Sequence, residues 1–535
     1  MSLLADNYYN PTTIIVTAIV LLLATGVYKL SQIGKRDPRM PPGPPTTPIL
    51  GNLHQIPSTG LFKQFREWSK QYGSVFSLKL GTGNVVVLCD REAVHSLLDK
   101  KSNIYSDRPE SYVYKLLTKG DHIALQPADK VWRDKRKVVA HNFSPKMLDE
   151  KHFRVQEAEA TILLNDLLDD PKDFIKHVRR YTSSVASSIV YGQRGATYES
   201  FWGHAVYEVM EKWSEAMEPG ASPPADVYGI FKLIPNSMAI WKRRAINAGK
   251  AMDEAWSEAR KFVDKRRATG ERRECIADQL MDEYEQKGWP FSEHSFNNLL
   301  GELVEGAADT TASHISTLIL AFALNPQVQA KARAEIDRVC GVDRAPTFSD
   351  FEQLPYVNAI VKEGMRWRPT SPTALPHRVR EDDWYKGMLI PKGSTVYLAT
   401  WAVHHTEKYY KDEDAFNPDR YLGYTKLAND YAGSPDWENR DHYGYGAGRR
   451  ICPGIHMAER SQWRIAAKLL WAFEISQATD PVTKEPVPID THAYSPGIAQ
   501  FPDPFVVEIK PRSEQHIQKI REEKTNALEF MERYS

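Results

Sequence analysis

Tyr445-Gly446-Ala447-Gly448-Arg449-Arg450-Ile451-Cys452-Pro453-Gly454 is the stretch whose reading decides the fold. Gly444, Gly446 and Gly448 let the backbone turn tightly and come close to something large and flat. Arg449 and Arg450 put positive charge beside Cys452, which favours its thiolate, and they are equally suited to carboxylates of a ligand. Pro453 and Gly454 lead into the apolar-periodic run Ile455–Phe473, so the sulfur stands at a helix N-terminus, where the dipole favours negative charge. A lone cysteine at a helix start is more often structural. The ten residues taken together are far more specific.

Working outward, a long helical run is predicted from about Glu293 to Leu324, ending at Asn325-Pro326. Inside it lies Gly306-Ala307-Ala308-Asp309-Thr310-Thr311. Small residues there permit close packing, and the Thr310 hydroxyl is spaced to bond the Gly306 carbonyl four residues back. Glu363 and Arg366 fall at i and i+3, on one helix face. An isolated pair of this kind is usually a surface ion pair. Trp132 and Arg136 share a helix face further upstream, and His377 follows Pro376.

These stretches, in this order, resemble the cytochromes P450, whose cysteine loop reads Phe-x-x-Gly-x-Arg-x-Cys-x-Gly. The resemblance spans Pro38 to Arg512, with Tyr445 standing where Phe is usual and Ala307 where a second glycine is usual. It implies a mainly α fold with small β-sheets, the cytochrome P450 fold, preceded by a single N-terminal transmembrane helix. It implies haem b with Cys452 as the iron ligand, and Tyr445 and Arg450 as cofactor contacts of the same loop. The Tyr445 hydroxyl is placed to tune the sulfur. Trp132, Arg136 and His377 are expected at the propionates. Ala307, Asp309 and Thr310 are expected to form the oxygen-activation groove, with Asp309 relaying protons and Thr310 stabilising iron-bound oxygen. Glu363, Arg366 and Arg420 match a buried structural network. Dioxygen is then the co-substrate. With no nicotinamide or flavin site in the sequence, NADPH acts only through a reductase, expected to dock on the basic cluster Arg133, Lys135, Arg136 and Lys137.

Bulk properties agree. Lys plus Arg equals Asp plus Glu, at 69 each, so no basic surplus argues for nucleic acid. The four cysteines are dispersed without a CxxC pair, which argues against a zinc ribbon or a disulfide framework. Cys452 with His442 and His456 is a poor zinc set beside the haem reading. Asn7–Tyr28 carries no charge and is long enough to cross a bilayer, with Lys29, Lys35, Arg36 and Arg39 following it. The positive-inside rule puts the remainder in the cytosol, and the resemblance implies that the membrane is that of the endoplasmic reticulum. The expected organisation is an anchor over 1–30, a Pro-rich spacer over 31–48, a catalytic domain over 49–512 and a charged, solvated helical tail over 513–535. Val75–Leu80 and Asn84–Leu88 read as a hairpin, with more strand near Trp384–Tyr397. The apolar Ile230–Pro235 loop reads equally as buried or as dipping into a bilayer.

Substrate is less legible. The chain is similar to fungal secondary-metabolism enzymes, particularly those hydroxylating small phenols such as m-cresol-type intermediates of patulin-like pathways, so a small lipophilic substrate is expected. Hydroxylation of larger lipophiles, fatty acids or terpenoids, is the alternative. A haem-thiolate isomerase or dehydratase, and a non-enzymatic haem sensor, are remote, because neither needs the Asp309-Thr310 pair.

Overall fold

Helix Glu293–Leu324 is the axis on which the rest is assembled. Ser292 caps it by accepting the Ser295 amide, and Pro326 at the start of the next helix ends its continuation. It is apolar nearly all round, which suits a helix packed on every side. Helices Phe174–Tyr191 and Ile455–Ala472 are its principal neighbours, and Pro355–Trp367 packs where these meet. The computed structural model describes residues 11–218 and 220–535, so Asp6–Asn10 of the expected span and its approach, and Pro219 in the loop, lie outside the described residues.

The β structure is small, as expected. Strands Val75–Leu80 and Gly83–Leu88 form the hairpin, joined in parallel by Thr395–Leu398 and then antiparallel by His377–Arg378. The region near Trp384–Tyr397 divides: Asp383–Tyr385 pairs with Met388–Ile390, while Thr395–Leu398 belongs to the first sheet. Phe473–Gln477 and Val507–Pro511 make a further pair. His377 is thereby held on the edge strand of this sheet.

Residues Pro11–Gln32 form a helix of 22 residues, about 33 Å long, and the Thr12–Gln32 stretch buries nothing against the protein. The spacer after it is not free. Arg36 donates to the carbonyls of Ser77, Gly43 and Pro44, and Ser77 donates its amide to Pro42. A Cβ on Gly43 would lie 2.0 Å from the Ser77 carbonyl oxygen, so only glycine allows this approach. The tail differs from the solvated helix expected. Glu514–Met531 packs along Phe153–Asp169 with Ile520, Ala527 and Met531 buried, and Arg521 pairs with Asp169. The Ile230–Pro235 loop is exposed rather than buried: Ile230, Leu233, Met238 and Ile240 all face outward.

Candidate active site

The start of helix Ile455–Ala472 and the middle of helix Glu293–Leu324 face each other across a cavity of about 350 Å³. Cys452 lies on its floor and Gly306, Ala307 and Thr310 on its roof. The loop before the cysteine is shaped as its glycines suggested. Gly448 has φ +63°, and a Cβ there would lie 2.1 Å from the Leu98 carbonyl oxygen. The Cys452 amide donates to Tyr445 O at 2.9 Å, closing the loop.

Burial raises the Cys452 thiol above its ordinary range, while the Gly454 amide and Arg136 oppose this. The charge that faces the sulfur therefore comes from the Lys130–Asn142 helix, not from the neighbouring arginines as the sequence suggested. Arg449 points to solvent, and Arg450 is buried, donating to Ser106 O and Gln126 O at 2.7 Å each. The Tyr445 hydroxyl donates to Gln462 Oε1 at 3.1 Å on the cysteine helix, so its bond is to an amide and not to the sulfur.

Arg108, Arg136, Arg450, Trp132 and His377 converge on one side of the cavity. None of the three guanidiniums is ion-paired among the described residues. Burial lowers the pKa of Arg450 to about 9, and Arg136 contributes to this; Arg108 is lowered by burial and by both other arginines. His377 is pushed down to about 3 by burial and by Arg108 and Arg450, while its Nδ1 lies 2.8 Å from Tyr105 O. Arg108 and Arg450 are buried and Arg136 part-buried, none with a carboxylate in ion-pair contact among the described residues, although Asp107 lies near enough to oppose the lowering of Arg108 and Arg450; such a set suits an anionic group. A flat, apolar cofactor with paired carboxylates fits that donor set, and a cysteine at the floor, which would be deprotonated on binding metal, fits a soft metal at its centre. Trp132 Nε1 donates to Ile123 O at 3.1 Å and Arg136 to Ile451 O at 2.8 Å. Arg108 was missed in the sequence, where Asp107-Arg108-Pro109 carries no distinguishing pattern.

On the roof, the Thr310 hydroxyl donates to Gly306 O at 2.8 Å, as its spacing predicted, yet the helix runs unbroken through the site. Asp309 is raised by burial, with Arg179 opposing, which suits a group that exchanges protons. Behind the cysteine, Arg366 grips Glu363 with two bonds of 2.7 and 2.8 Å, Arg420 Nε lies 3.5 Å from the same carboxylate, and Asn417 donates its amide. Glu363 and Arg366 are both fully buried, so the surface-pair alternative fails. One basic residue of the expected docking cluster is also displaced: Lys135 is 0% exposed and bound to Asp121 at 2.6 Å. Trp132, Lys135, Val139 and Asn142 form the inward face of that helix.

A cavity with a cysteine on its floor, a small-residue groove on its roof and arginines without ion pairs on one side suits a haem-thiolate enzyme. The cytochrome P450 family profile matches residues 41–501, and the chain belongs to that family. It is 44% identical over 463 residues to cytochrome P450 monooxygenase patI of Aspergillus clavatus, covering 86% of this chain and 87% of that one. A cytochrome P450 monooxygenase of Arthrobotrys oligospora is 40% identical over 537 residues, 98% of this chain and 99% of its own. Cytochrome P450 monooxygenase macC of Penicillium terrestre is 39% identical over 516 residues, 95% of each. The protein is accordingly a haem-dependent monooxygenase that uses dioxygen and receives electrons through a redox partner.

Proposed function

We propose that this monooxygenase hydroxylates a small phenolic or polyketide-derived molecule at the endoplasmic reticulum membrane, and that Cys452 would hold the haem iron. That Cys452 lines the same cavity as Gly306, Ala307 and Thr310 carries the reading. Haem bound there supplies oxygen activation at iron. The chain's own residues do the rest. Arg108, Arg136, Arg450, Trp132 and His377 would hold the haem carboxylates, and Tyr445 packs beside the sulfur. Ala307 is a small residue on the cavity roof and would leave room for the group and its substrate. Thr310 Oγ1 keeps its own proton directed at Gly306 O until a better acceptor arrives, and Asp309 passes protons inward from the Arg179 side. Apolar walls exclude bulk water, which limits loss of reducing equivalents.

The exposed side chains Arg133, Lys137 and Arg449 support a docking face for an acidic NADPH-cytochrome reductase, steered by charge; Lys135 takes no part because it is buried. The exposed apolar anchor and the outward Ile230–Ile240 patch support attachment to a membrane. Domain boundaries follow the same reading, with the 513–535 segment joined to the catalytic body.

NADPH-dependent turnover of m-cresol in microsomes holding the protein and a reductase tests this directly. The expected product gains one oxygen and is absent with Cys452→Ala. No product from a preparation with a normal reduced carbon monoxide spectrum would refute the small-phenol assignment.

A further inference from the structure

Behind the cysteine loop, the Tyr445 ring is buried in a cluster with Met365, Ala428 and Ile455, against which Cys452 is packed. Packing alone asks for no hydroxyl there. A phenol O–H taken into apolar surroundings is costly unless it is bonded. This one donates to Gln462 Oε1 at 3.1 Å, and both residues are buried. Burial, followed by Glu459 and Cys452, keeps the phenol protonated and therefore a donor. The main chain of the same residue is engaged as well: its carbonyl accepts the Cys452 amide at 2.9 Å. Gln462 belongs to helix Ile455–Ala472, which is itself tied down. Its Ser461 accepts from Gln156 at 2.8 Å, and its Arg464 donates to Gln156 and Glu157 at 2.6 Å each, both on helix Phe153–Asp169.

Tyr445 thus bonds a fixed helix through its side chain and the cysteine through its backbone. It stands between Gly444 and Gly446, so the flanking chain adds little stiffness of its own. We propose that the Tyr445–Gln462 hydrogen bond is a lock on the cysteine loop. By pinning Tyr445 to the helix it fixes the carbonyl that receives the Cys452 amide, and through that bond it holds the sulfur where it ligates. Tyr445 and Gln462 are positioning residues in this scheme. A phenylalanine at 445 would fill the same cluster without that tie. The lock rests on Cys452 being the iron ligand, and it names what keeps the sulfur in place.

The full-length holoenzyme in lipid nanodiscs, reduced and bound to carbon monoxide, tests it. Conversion from the thiolate-ligated to the thiolate-free spectrum is timed in urea below the unfolding transition. Tryptophan fluorescence gives the global unfolding midpoint of the same samples. Tyr445→Phe keeps the ring and is expected to convert about fivefold faster than the wild type, with its fluorescence midpoint unchanged. Gln462→Leu strands the phenol hydroxyl in the apolar cluster and is expected to convert more than about tenfold faster. Combining the two removes the stranded group, and the rate should return to within about twofold of Tyr445→Phe alone. Conversion of Tyr445→Phe at the wild-type rate would overturn the lock. So would a faster conversion matched by an equal fall in its fluorescence midpoint, since the bond would then support the fold in general and not the sulfur. Cys452→Ala separates the two readings. A thiolate spectrum persisting in that variant would remove the ligand assignment and the lock with it; its loss there, beside wild-type behaviour of Tyr445→Phe, would remove the lock alone.

Discussion

Below Cys452, the Glu363 carboxylate is met by Arg366 twice, by the Asn417 amide and by Arg420; above it, Glu302 has one hydrogen-bonded oxygen and one that meets only Lys135 Nζ, at 3.9 Å. Both are buried glutamates on helices that pack against the cysteine helix or its cavity. The difference is in what each is for. A saturated buried pair adds little net stability but makes the loss of either member severe. A half-satisfied one costs stability and tolerates change more readily. The proximal side is a closed network, whereas the distal carboxylate is held by one hydrogen bond and one long ion pair.

Removing one partner from the saturated side should have the largest effect. Glu363→Ala leaves Arg366 buried and unpaired and is expected to cost about 3–5 kcal/mol, with loss of haem during purification. Denaturant unfolding measures it, and a cost below about 1 kcal/mol would show the network to be dispensable. The seam between the halves is next. His314 on the roof helix packs against Gly364, with both ring nitrogens unpartnered, and burial followed by His442 holds its pKa at about 3. The unfolded chain protonates this ring near pH 6.5 and the folded one does not, so stability falls as pH drops from about 6.5 toward 3. The loss at pH 5 is about 2 kcal/mol. His314→Leu should shrink the difference between denaturant midpoints at pH 7 and pH 5; an unchanged difference would assign the acid sensitivity elsewhere. Thr310→Ala on the distal side should move stability least, by under about 1 kcal/mol, because it removes one local bond. Product per NADPH consumed should nevertheless fall severalfold. Intact coupling would take Thr310 out of the proton path.

What the sequence disclosed follows from the same contrast. The cysteine loop, Glu363 with Arg366, and Thr310 with Gly306 are local, separated by ten residues or fewer, so spacing alone reports them. The unbroken helix over Glu293–Leu324 was equally legible from its apolar run and terminal Asn325-Pro326. The distal polar cluster was not. His122 and Glu305 are 183 residues apart, and Glu302 meets Ile123 across 179, distances over which no periodicity carries information. Arg108 reaches its place by bonding the Leu375 and Pro376 carbonyls, again a long-range event. Lys135 was misplaced for a different reason. Grouping it with Arg133 and Lys137 counted charge along the chain, whereas its i, i+3 and i+7 relation to Trp132 and Val139 set it on the inner face. The tail misled similarly: its many charges concealed a stripe of Ile520, Ala527 and Met531.

The stitching of Arg36 and Gly43 to Ser77 turns the membrane joint into a bracket instead of a tether. A tethered globule samples a hemisphere of positions above its anchor; a bracketed one keeps nearly constant height and tilt while it drifts sideways. With helix Pro11–Gln32 in a membrane, encounter with a redox partner carried on the same sheet of lipid would become a planar search, an advantage the same domain would lose if freed into solution.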